Sequence, residues 1–321
     1  MDAASKKGEG RRVELTTRDR ELLLSLYKYR FLSLSQVERL HFVSSQTARR
    51  RVRLLSSAGY LRTFRVPGVG DRVTFLTQQG LDHVAGNMEV PAGTLGNSRA
   101  RLRPRDSYFL NHFLAVTDVR IAVAQACARH PDLSLLGFLA DHVMEHRDRS
   151  VPRRIARDVA ADIARPGEKV GHTPDGVFAI ARGVETALFF LEVDRGTESV
   201  ANRERGFAKT IRFYLNYLAQ GGYARYRDVF GVTASFTAVR VLVATSSVRR
   251  LATIRSVGAA LAFQPAKALR LIWLSEIGTI SEGTIFDRIW VSLDPEDAGK
   301  YRIAGGRDLT SSDEGALAHD H

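Results

Sequence analysis

Three carboxylates lie at the ends of two apolar stretches in the second half of the chain. Asp175 comes directly before "GVFAIA", and Glu192 and Asp194 close "TALFFLEVD". The apolar runs predict two buried strands, and the short "RGVE" between them predicts a turn that pairs them antiparallel. The start of the first strand then lies beside the end of the second, and residues two apart on a strand point to the same face. We therefore expect the three acids to converge at one edge of a sheet.

Carboxylates placed together repel one another, and burying them without partners is costly. A divalent cation removes both problems, because carboxylate oxygens are the usual ligands of Mg²⁺ and Mn²⁺. Such an ion can activate water and stabilise the charge that develops during phosphodiester cleavage. The alternative is a salt-bridge cluster without chemistry, formed with Arg195, Arg203 or Arg205.

The elements that must position these acids follow one another in the order α-β-β-β-α-β. A helix of about six turns is predicted in "YFLNHFLAVTDVRIAVAQACARH". A strand in "LSLLGFLADHVMEHR", a charged loop, the two strands above, a helix in "NRERGFAKTIRFYLNYLAQ" and a strand in "AVRVLVATS" come next. A further helix and strand follow in "VRRLATIRSVGAALA" and "ALRLIWLSEI". This alternation predicts an α/β domain whose mixed sheet is covered by helices on both faces.

The positive charge of the chain is concentrated in its first third. The net charge of the 321 residues is +12. Residues 1–105 carry 20 Lys and Arg against 9 Asp and Glu, a net charge of +11, whereas residues 106–321 carry 27 against 26, a net charge of +1. This asymmetry predicts a basic module that binds a polyanion such as nucleic acid, joined to a balanced module. A merely solvated basic surface is the alternative.

The basic region also has the element order of a winged helix. Helical patterns occur in "TTRDRELLLSLYKYR", "LSLSQVERLHF" and "SSQTARRRVRLLSSAGYL", and two alternating segments joined by "PGVGD" predict a hairpin. In a winged helix the third helix enters the major groove and the hairpin touches the backbone. Arginines of the third helix and the hairpin are therefore predicted to contact phosphates and guanine edges: Arg49, Arg50, Arg53, Arg65 and Arg72. The alternative is an exposed arginine face on a structural helix.

These patterns divide the chain into five segments. The predicted fold class is α/β for the large domain and α+β for the whole chain, since the winged helix precedes that domain. The predicted segments are a disordered basic N-terminus (1–12), a winged-helix domain (13–86), a linker (87–106), the α/β domain (107–293) and a flexible tail (294–321).

The strand pair resembles a known nuclease motif. "PDGVFAI" and "LFFLEVD" resemble the PD-(D/E)xK superfamily, whose restriction-endonuclease-like core has the order α-β-β-β-α-β. With the N-terminal "LTTRDRELLLSLYKYRFLSLSQVERL" and with "LEVDRGTES", the chain resembles the replication-relaxation family of plasmids and integrative elements over about residues 13 to 290. The resemblance implies a role in replication or mobilisation, as a metal-dependent DNA nickase similar to a class of mobilisation relaxases.

The resemblance implies roles for individual residues. Asp175 matches the metal-binding aspartate, and Glu192 matches the first acid of the (D/E)xK pair. Asp194 stands where the superfamily has lysine, so either the lysine role has moved to Lys209 on the following helix or catalysis has been lost. The metal shell is expected to be completed by one further side chain, Glu145 or His112.

If catalysis has been lost, the nuclease-like domain is a scaffold. The protein is then a winged-helix DNA-binding accessory protein or transcriptional regulator. Under either hypothesis the expected partners are double-stranded DNA, other mobilisation or replication proteins, and a second copy of the chain in a homodimer.

Other motifs that could do chemistry give weaker signals. "HVMEH", His142 to His146, has the spacing of a zinc peptidase motif, but the preceding apolar run predicts a strand instead of the required helix. Tyr214 and Tyr217 could supply a tyrosine nucleophile, but they fit a packed helical stripe. The sequence has no Walker P-loop, so ATP-driven work is not expected.

The single cysteine and the absence of long apolar runs indicate the compartment. Cys127 alone excludes a disulfide framework and fits a reducing cytosol. The N-terminal residues lack the apolar core of a signal peptide, and no 18-residue run is free of charge. We therefore expect a cytoplasmic protein that is neither secreted nor inserted in a membrane.

Overall fold

The chain divides into two compact units in a computed structural model. The residues that the structure describes are 13–68, 70–91, 95, 107–140, 157–196, 199–202, 206–261 and 268–304. The first unit comprises Met1–Thr117 and His142–Val151, and the second comprises Asp118–Asp141 and Pro152–His321. None of the described helices is long and apolar enough to cross a membrane.

The first unit contains the predicted three helices and hairpin. Its elements in chain order are α1 (Thr17–Tyr29), β1 (Leu32–Ser33), α2 (Leu34–His41), α3 (Ser45–Ser57), β2 (Leu61–Arg65), β3 (Arg72–Leu76) and α4 (Gln78–Asn87). The strands form an antiparallel sheet in the order β1-β3-β2.

Polar caps determine where the helices of the first unit begin. The Thr16 hydroxyl accepts from the backbone N–H of Asp19 at 3.3 Å, and the Asp19 carboxylate accepts from the backbone N–H of Thr16 at 2.7 Å. Ser33 and Gln36 form the same reciprocal box at α2, with bonds of 3.1 and 3.0 Å. Ser44 caps α3. Such caps satisfy backbone donors that a helix leaves unpaired at its start.

Helix α4 is absent from the predicted elements, because two glycines interrupt its pattern. The Thr77 hydroxyl caps it by accepting from the N–H of Gly80 at 3.1 Å. A Cβ at position 80 would lie 2.1 Å from the backbone oxygen of Tyr60. This glycine therefore serves a close backbone approach, at the cost of helix propensity.

The second unit begins within a long helix and contains a large mixed sheet. The elements are α5 (Ser107–Arg129, which starts in the first unit), β4 (Ser134–Ala140), β5 (Asp158–Ala161), β6 (Lys169–His172), β7 (Gly176–Arg182), β8 (Glu185–Asp194), α6 (Phe207–Ala219), α7 (Tyr226–Phe230), β9 (Ala238–Thr245), α8 (Val248–Leu261), β10 (Ile272–Glu276), β11 (Trp290–Ser292) and β12 (Lys300–Tyr301). The mixed α/β class predicted for the chain is confirmed.

The seven strands of the large sheet lie in the order β12-β11-β10-β9-β8-β7-β4. Strands β4, β7 and β8 pair antiparallel, whereas β8, β9 and β10 pair parallel. The predicted turn between β7 and β8 is present, and Gly176 pairs with Leu191 across it.

Two parts of the second unit differ from the predicted elements. The charged loop before β7 contains an antiparallel hairpin of β5 and β6. Its strands have four residues each, too few for a clear alternation of polar and apolar positions. Strand β12 lies in the predicted tail and pairs with β11, and the neighbouring Ile303 is fully buried.

Aromatic packing fixes strand β8 on both of its faces. On one face Phe190 contacts Tyr214 and Tyr226, with ring centroids 5.7 and 5.4 Å apart. On the other face Phe178 stacks on Phe189 at 4.9 Å. Burying each such ring contributes about 1.5–3 kcal/mol, and an aromatic pair adds about 0.5–1.5 kcal/mol. The end of β8 is therefore held rigidly on α6, and this end carries two of the candidate acids.

Candidate active site

The structure brings Asp175 and Glu192 together at the ends of β7 and β8. Asp175 precedes the first residue of β7, and its Oδ2 accepts from the backbone N–H of Val193 at 2.8 Å. The charge of Asp175 also acts to raise the pKa of Glu192. Antiparallel pairing through a short turn places these two residues side by side although 17 positions separate them in the chain.

Glu192 is a buried carboxylate with two side-chain partners. Its Oε1 accepts from the Tyr214 hydroxyl at 2.5 Å and lies 2.7 Å from Nε2 of His172. Burial raises the pKa of Glu192, and Asp175 adds to this, while His172 and Tyr214 oppose it. Burial and the neighbouring Glu192 together raise the pKa of Tyr214 well above its ordinary value. An acid with a raised pKa that contacts a histidine and lies near a second carboxylate is typical of functional sites.

His172 also belongs to this group of side chains, although no motif in the sequence marks it. It ends β6, and burial alone would lower its pKa, but Glu192 and Asp175 outweigh burial, so the pKa is raised. Lys209 on α6 is near enough for its charge to oppose that increase. The signal in the sequence was "VGHTPD", a histidine three residues before Asp175. This histidine can be recognised as a neighbour of Glu192 only when the β5–β6 hairpin is known.

Asp194 has a different environment at the same strand end. Arg250 on α8 binds both of its oxygens, from Nε to Oδ2 at 2.5 Å and from a terminal nitrogen to Oδ1 at 2.9 Å. Both side chains are mostly buried, at 15% and 5% exposure for Arg250 and Asp194. The bidentate pair with Arg250 satisfies this carboxylate without a metal ion. Its predicted role as a metal ligand remains a prediction.

The remaining predicted ligands are Glu145 and His112. Within the described ranges, no three His, Cys, Asp or Glu side chains form a group that could hold a metal ion. Glu145, like His142 and His146, lies outside the described residues. His112 lies on the part of α5 that belongs to the first unit.

Tyr217 of α6 lies in the packed core, and one arginine of the predicted salt-bridge cluster is described. Tyr217 is buried, and its ring stacks on Phe213 at 5.0 Å, so the packed helical stripe predicted for α6 is present. Arg195 is partly buried, whereas Arg203 and Arg205 lie outside the described residues.

In the first unit, the predicted DNA-binding arginines are all exposed: Arg49, Arg50, Arg53, Arg65 and Arg72. Arg65 and Arg72 face each other across the hairpin of β2 and β3. Arg51, in the middle of the α3 arginines, instead pairs with the buried Asp19. Of the four arginines of α3, Arg51 thus has a structural partner, and the other three are exposed to solvent.

The family model described as Replication-relaxation matches residues 23–233. The chain belongs to the replication-relaxation family. This membership suggests a role in the replication or mobilisation of a plasmid or other element. No curated protein and no solved structure matches the chain.

In this replication-relaxation protein, the residues that the family model matches include the exposed arginines of α3 and the carboxylates at the ends of β7 and β8. Asp175, Glu192 and Lys209 lie inside the match, as does α3. Arg250, the partner of Asp194, lies beyond it.

Proposed function

We propose that this replication-relaxation protein binds duplex DNA with its first unit and cleaves one strand of DNA with a divalent cation at Asp175 and Glu192 of its second unit. The single observation that supports cleavage best is the meeting of these two carboxylates with His172 and the nearby Lys209 at one strand end.

The DNA-binding half of the proposal depends on the first unit's arginines. The order of three helices and a hairpin is that of a winged helix, in which the third helix reads the major groove. Helix α3 leaves Arg49, Arg50 and Arg53 exposed, and the hairpin adds Arg65 and Arg72. Exposed guanidinium groups on both elements suit phosphate contacts from the groove and from its edge.

The donor chemistry of the second unit suits magnesium or manganese. Mg²⁺ is commonly bound through one or two carboxylates and retains several waters, so Asp175 and Glu192 suffice as protein ligands. When bound, such an ion lowers the pKa of water and neutralises charge on the phosphate.

The chain's own residues supply the other requirements. Tyr214 and His172 hold Glu192 in one position, and the backbone N–H of Val193 holds Asp175. Lys209, half-buried on α6, takes the place of the superfamily lysine and stabilises negative charge that develops on the phosphate. In this proposal Asp194 keeps its ion pair with Arg250 and orients α8 against the strand end.

A specific observation favours a second function, that of a DNA-binding accessory protein or regulator without catalysis. Glu192 and Asp194 both have protein partners, and the described residues contain no group of three metal-binding side chains. In that case the second unit is a scaffold, and DNA binding remains the activity.

Incubation of the purified protein with supercoiled plasmid carrying its cognate origin separates the two functions. With Mg²⁺ or Mn²⁺ we expect nicked circles from the wild type and none from Asp175→Ala or Glu192→Gln. Glu185→Gln is the matched control, because Glu185 begins the same strand, about 23 Å from Glu192. Failure of the wild type to nick, or equal nicking by all variants, would refute the catalytic proposal.

DNA binding is tested separately by the salt dependence of affinity. Each of Arg49→Ala, Arg50→Ala and Arg53→Ala is expected to reduce the slope of log K against log salt by about 1, as loss of one phosphate contact does. Fluorescence anisotropy with a labelled duplex measures this, and Arg288→Ala, at an exposed site of the second unit, is the control. Unchanged slopes for all three variants would assign the DNA-binding face to another surface.

A further inference from the structure

The β5–β6 hairpin is hydrogen-bonded to side chains at the C-terminal end of α6. Gln220, directly after α6, accepts from the backbone N–H of Ala161 at 3.1 Å and donates to its carbonyl at 2.7 Å. Asn216 accepts from the N–H of Ile163 at 2.9 Å. These bonds replace the strand partner that a two-stranded hairpin lacks. The turn end of the hairpin is therefore held in place.

A second contact fixes the opposite end of the hairpin. Asp158 begins β5 and accepts from Nε of Arg225 at 2.7 Å and from the hydroxyl of Tyr226 at 2.8 Å. Asp158 is also the direct cross-strand neighbour of His172. The charged pair and the buried hydroxyl thus fix the register position from which His172 extends.

His172 has a defined place against α6 as well. Its ring lies 5.3 Å from that of Phe213 and 5.6 Å from that of Tyr214, measured between centroids. Its Nε2 and the Tyr214 hydroxyl both contact Oε1 of Glu192. Among the described residues, the hydrogen bonds of the Glu192 carboxylate thus end on the same oxygen.

We propose that the β5–β6 hairpin is part of the active site and that His172 and Tyr214 are positioning residues, which hold Glu192 by Oε1 and leave Oε2 for the divalent cation. This inference rests on the proposed function.

The physical reason is preorganisation of a ligand. A free glutamate side chain samples several rotamers, and a cation must select one of them at an entropic cost. Two hydrogen bonds to one oxygen select that rotamer before the cation arrives. Loss of such supporting partners commonly lowers metal affinity or activity by about 10- to 100-fold.

The test measures Mn²⁺ affinity and nicking by the full-length protein. Tyr214→Phe and His172→Ala are each expected to weaken Mn²⁺ binding by about 10-fold or more, as followed by electron paramagnetic resonance of free Mn²⁺. At saturating Mn²⁺ they should lower kcat for nicking and leave KM for DNA unchanged. His172→Gln replaces the ring N–H donor with an amide donor and is expected to recover most of the affinity.

Tyr217→Phe is the matched control, because it removes a hydroxyl from the same helix without a contact to Glu192. Thermal unfolding of each variant shows whether it folds, and His172→Gln provides a reading if His172→Ala does not. If the wild type binds Mn²⁺ and nicks while Tyr214→Phe and His172→Ala behave as Tyr217→Phe does, the positioning role is wrong and the proposed function stands. A wild-type protein that neither binds Mn²⁺ nor nicks would overturn the proposed function, and this inference with it.

Discussion

The same substitution at two neighbouring arginines of α3 is expected to lower stability at one position and DNA affinity at the other. Arg51 pairs with Asp19 of α1, whereas Arg50 is exposed. Methionine keeps the unbranched apolar part of the side chain and removes the charged guanidinium. We predict that Arg51→Met destabilises the first unit and that Arg50→Met leaves its stability nearly unchanged while weakening DNA binding.

The magnitude follows from the contacts that the Arg51 guanidinium makes. It donates from Nε to Oδ1 of Asp19 at 2.5 Å and makes a second bond from a terminal nitrogen to Oδ2. Hydrogen bonds to a charged group contribute about 1.5–3 kcal/mol each. Asp19 is fully buried but keeps two bonds to Thr16, and the Arg51 side chain is 24% exposed, so water can enter. We therefore expect a loss near the lower end of the range for a broken buried pair, about 3 kcal/mol.

The assay is scanning calorimetry of the full-length protein, with hydrogen exchange of the amides in α1 and α3 to assign the transition. A loss of about 3 kcal/mol lowers the melting temperature of a unit of this size by roughly 10 °C. The exposed Arg50 is expected to change the free energy of unfolding by less than about 0.5 kcal/mol. Equal melting temperatures for Arg51→Met and Arg50→Met would refute the structural role of the ion pair.

Three further predictions concern acid stability, the second ion pair and a glycine. Burial acts to raise the pKa of Asp19, but hydrogen bonds from Arg51 and Thr16 outweigh it and lower the pKa below 3.8. The stability that the Asp19 carboxylate contributes is complete above its pKa in the unfolded chain and is lost as the pH falls through its pKa in the folded protein. The free energy of unfolding of the wild type should therefore fall towards that of Arg51→Met as the pH drops below about 4. Asp194→Asn is expected to cost about 2 kcal/mol in urea unfolding yet to retain nicking at low temperature; loss of nicking in the folded variant would instead support a metal ligand. Gly80→Ala forces a Cβ to within 2.1 Å of a backbone oxygen, and its melting curve should show a loss of about 1–3 kcal/mol, with unchanged stability contradicting the close approach.

Local patterns in the sequence predicted most of the elements and the juxtaposition of one pair of candidate site residues. The apolar runs of β7 and β8 and the short turn between them sufficed to bring Asp175 beside Glu192, because a tight hairpin leaves a single way to pair its strands. The caps at Thr16, Ser33 and Ser44 likewise mark helix starts from neighbouring residues alone.

Tertiary structure decided which partner each charged residue has. His172 reaches Glu192 through a short hairpin, Arg250 is 56 positions from Asp194, and Arg51 is 32 positions from Asp19. Spacing along the chain carries no signal for such pairs, since the residues meet only after separate helices and strands have packed. The sequence by itself therefore determined the elements and the acids at their ends, and the packing determined that Glu192 contacts His172 and Tyr214 whereas Asp194 is paired with Arg250.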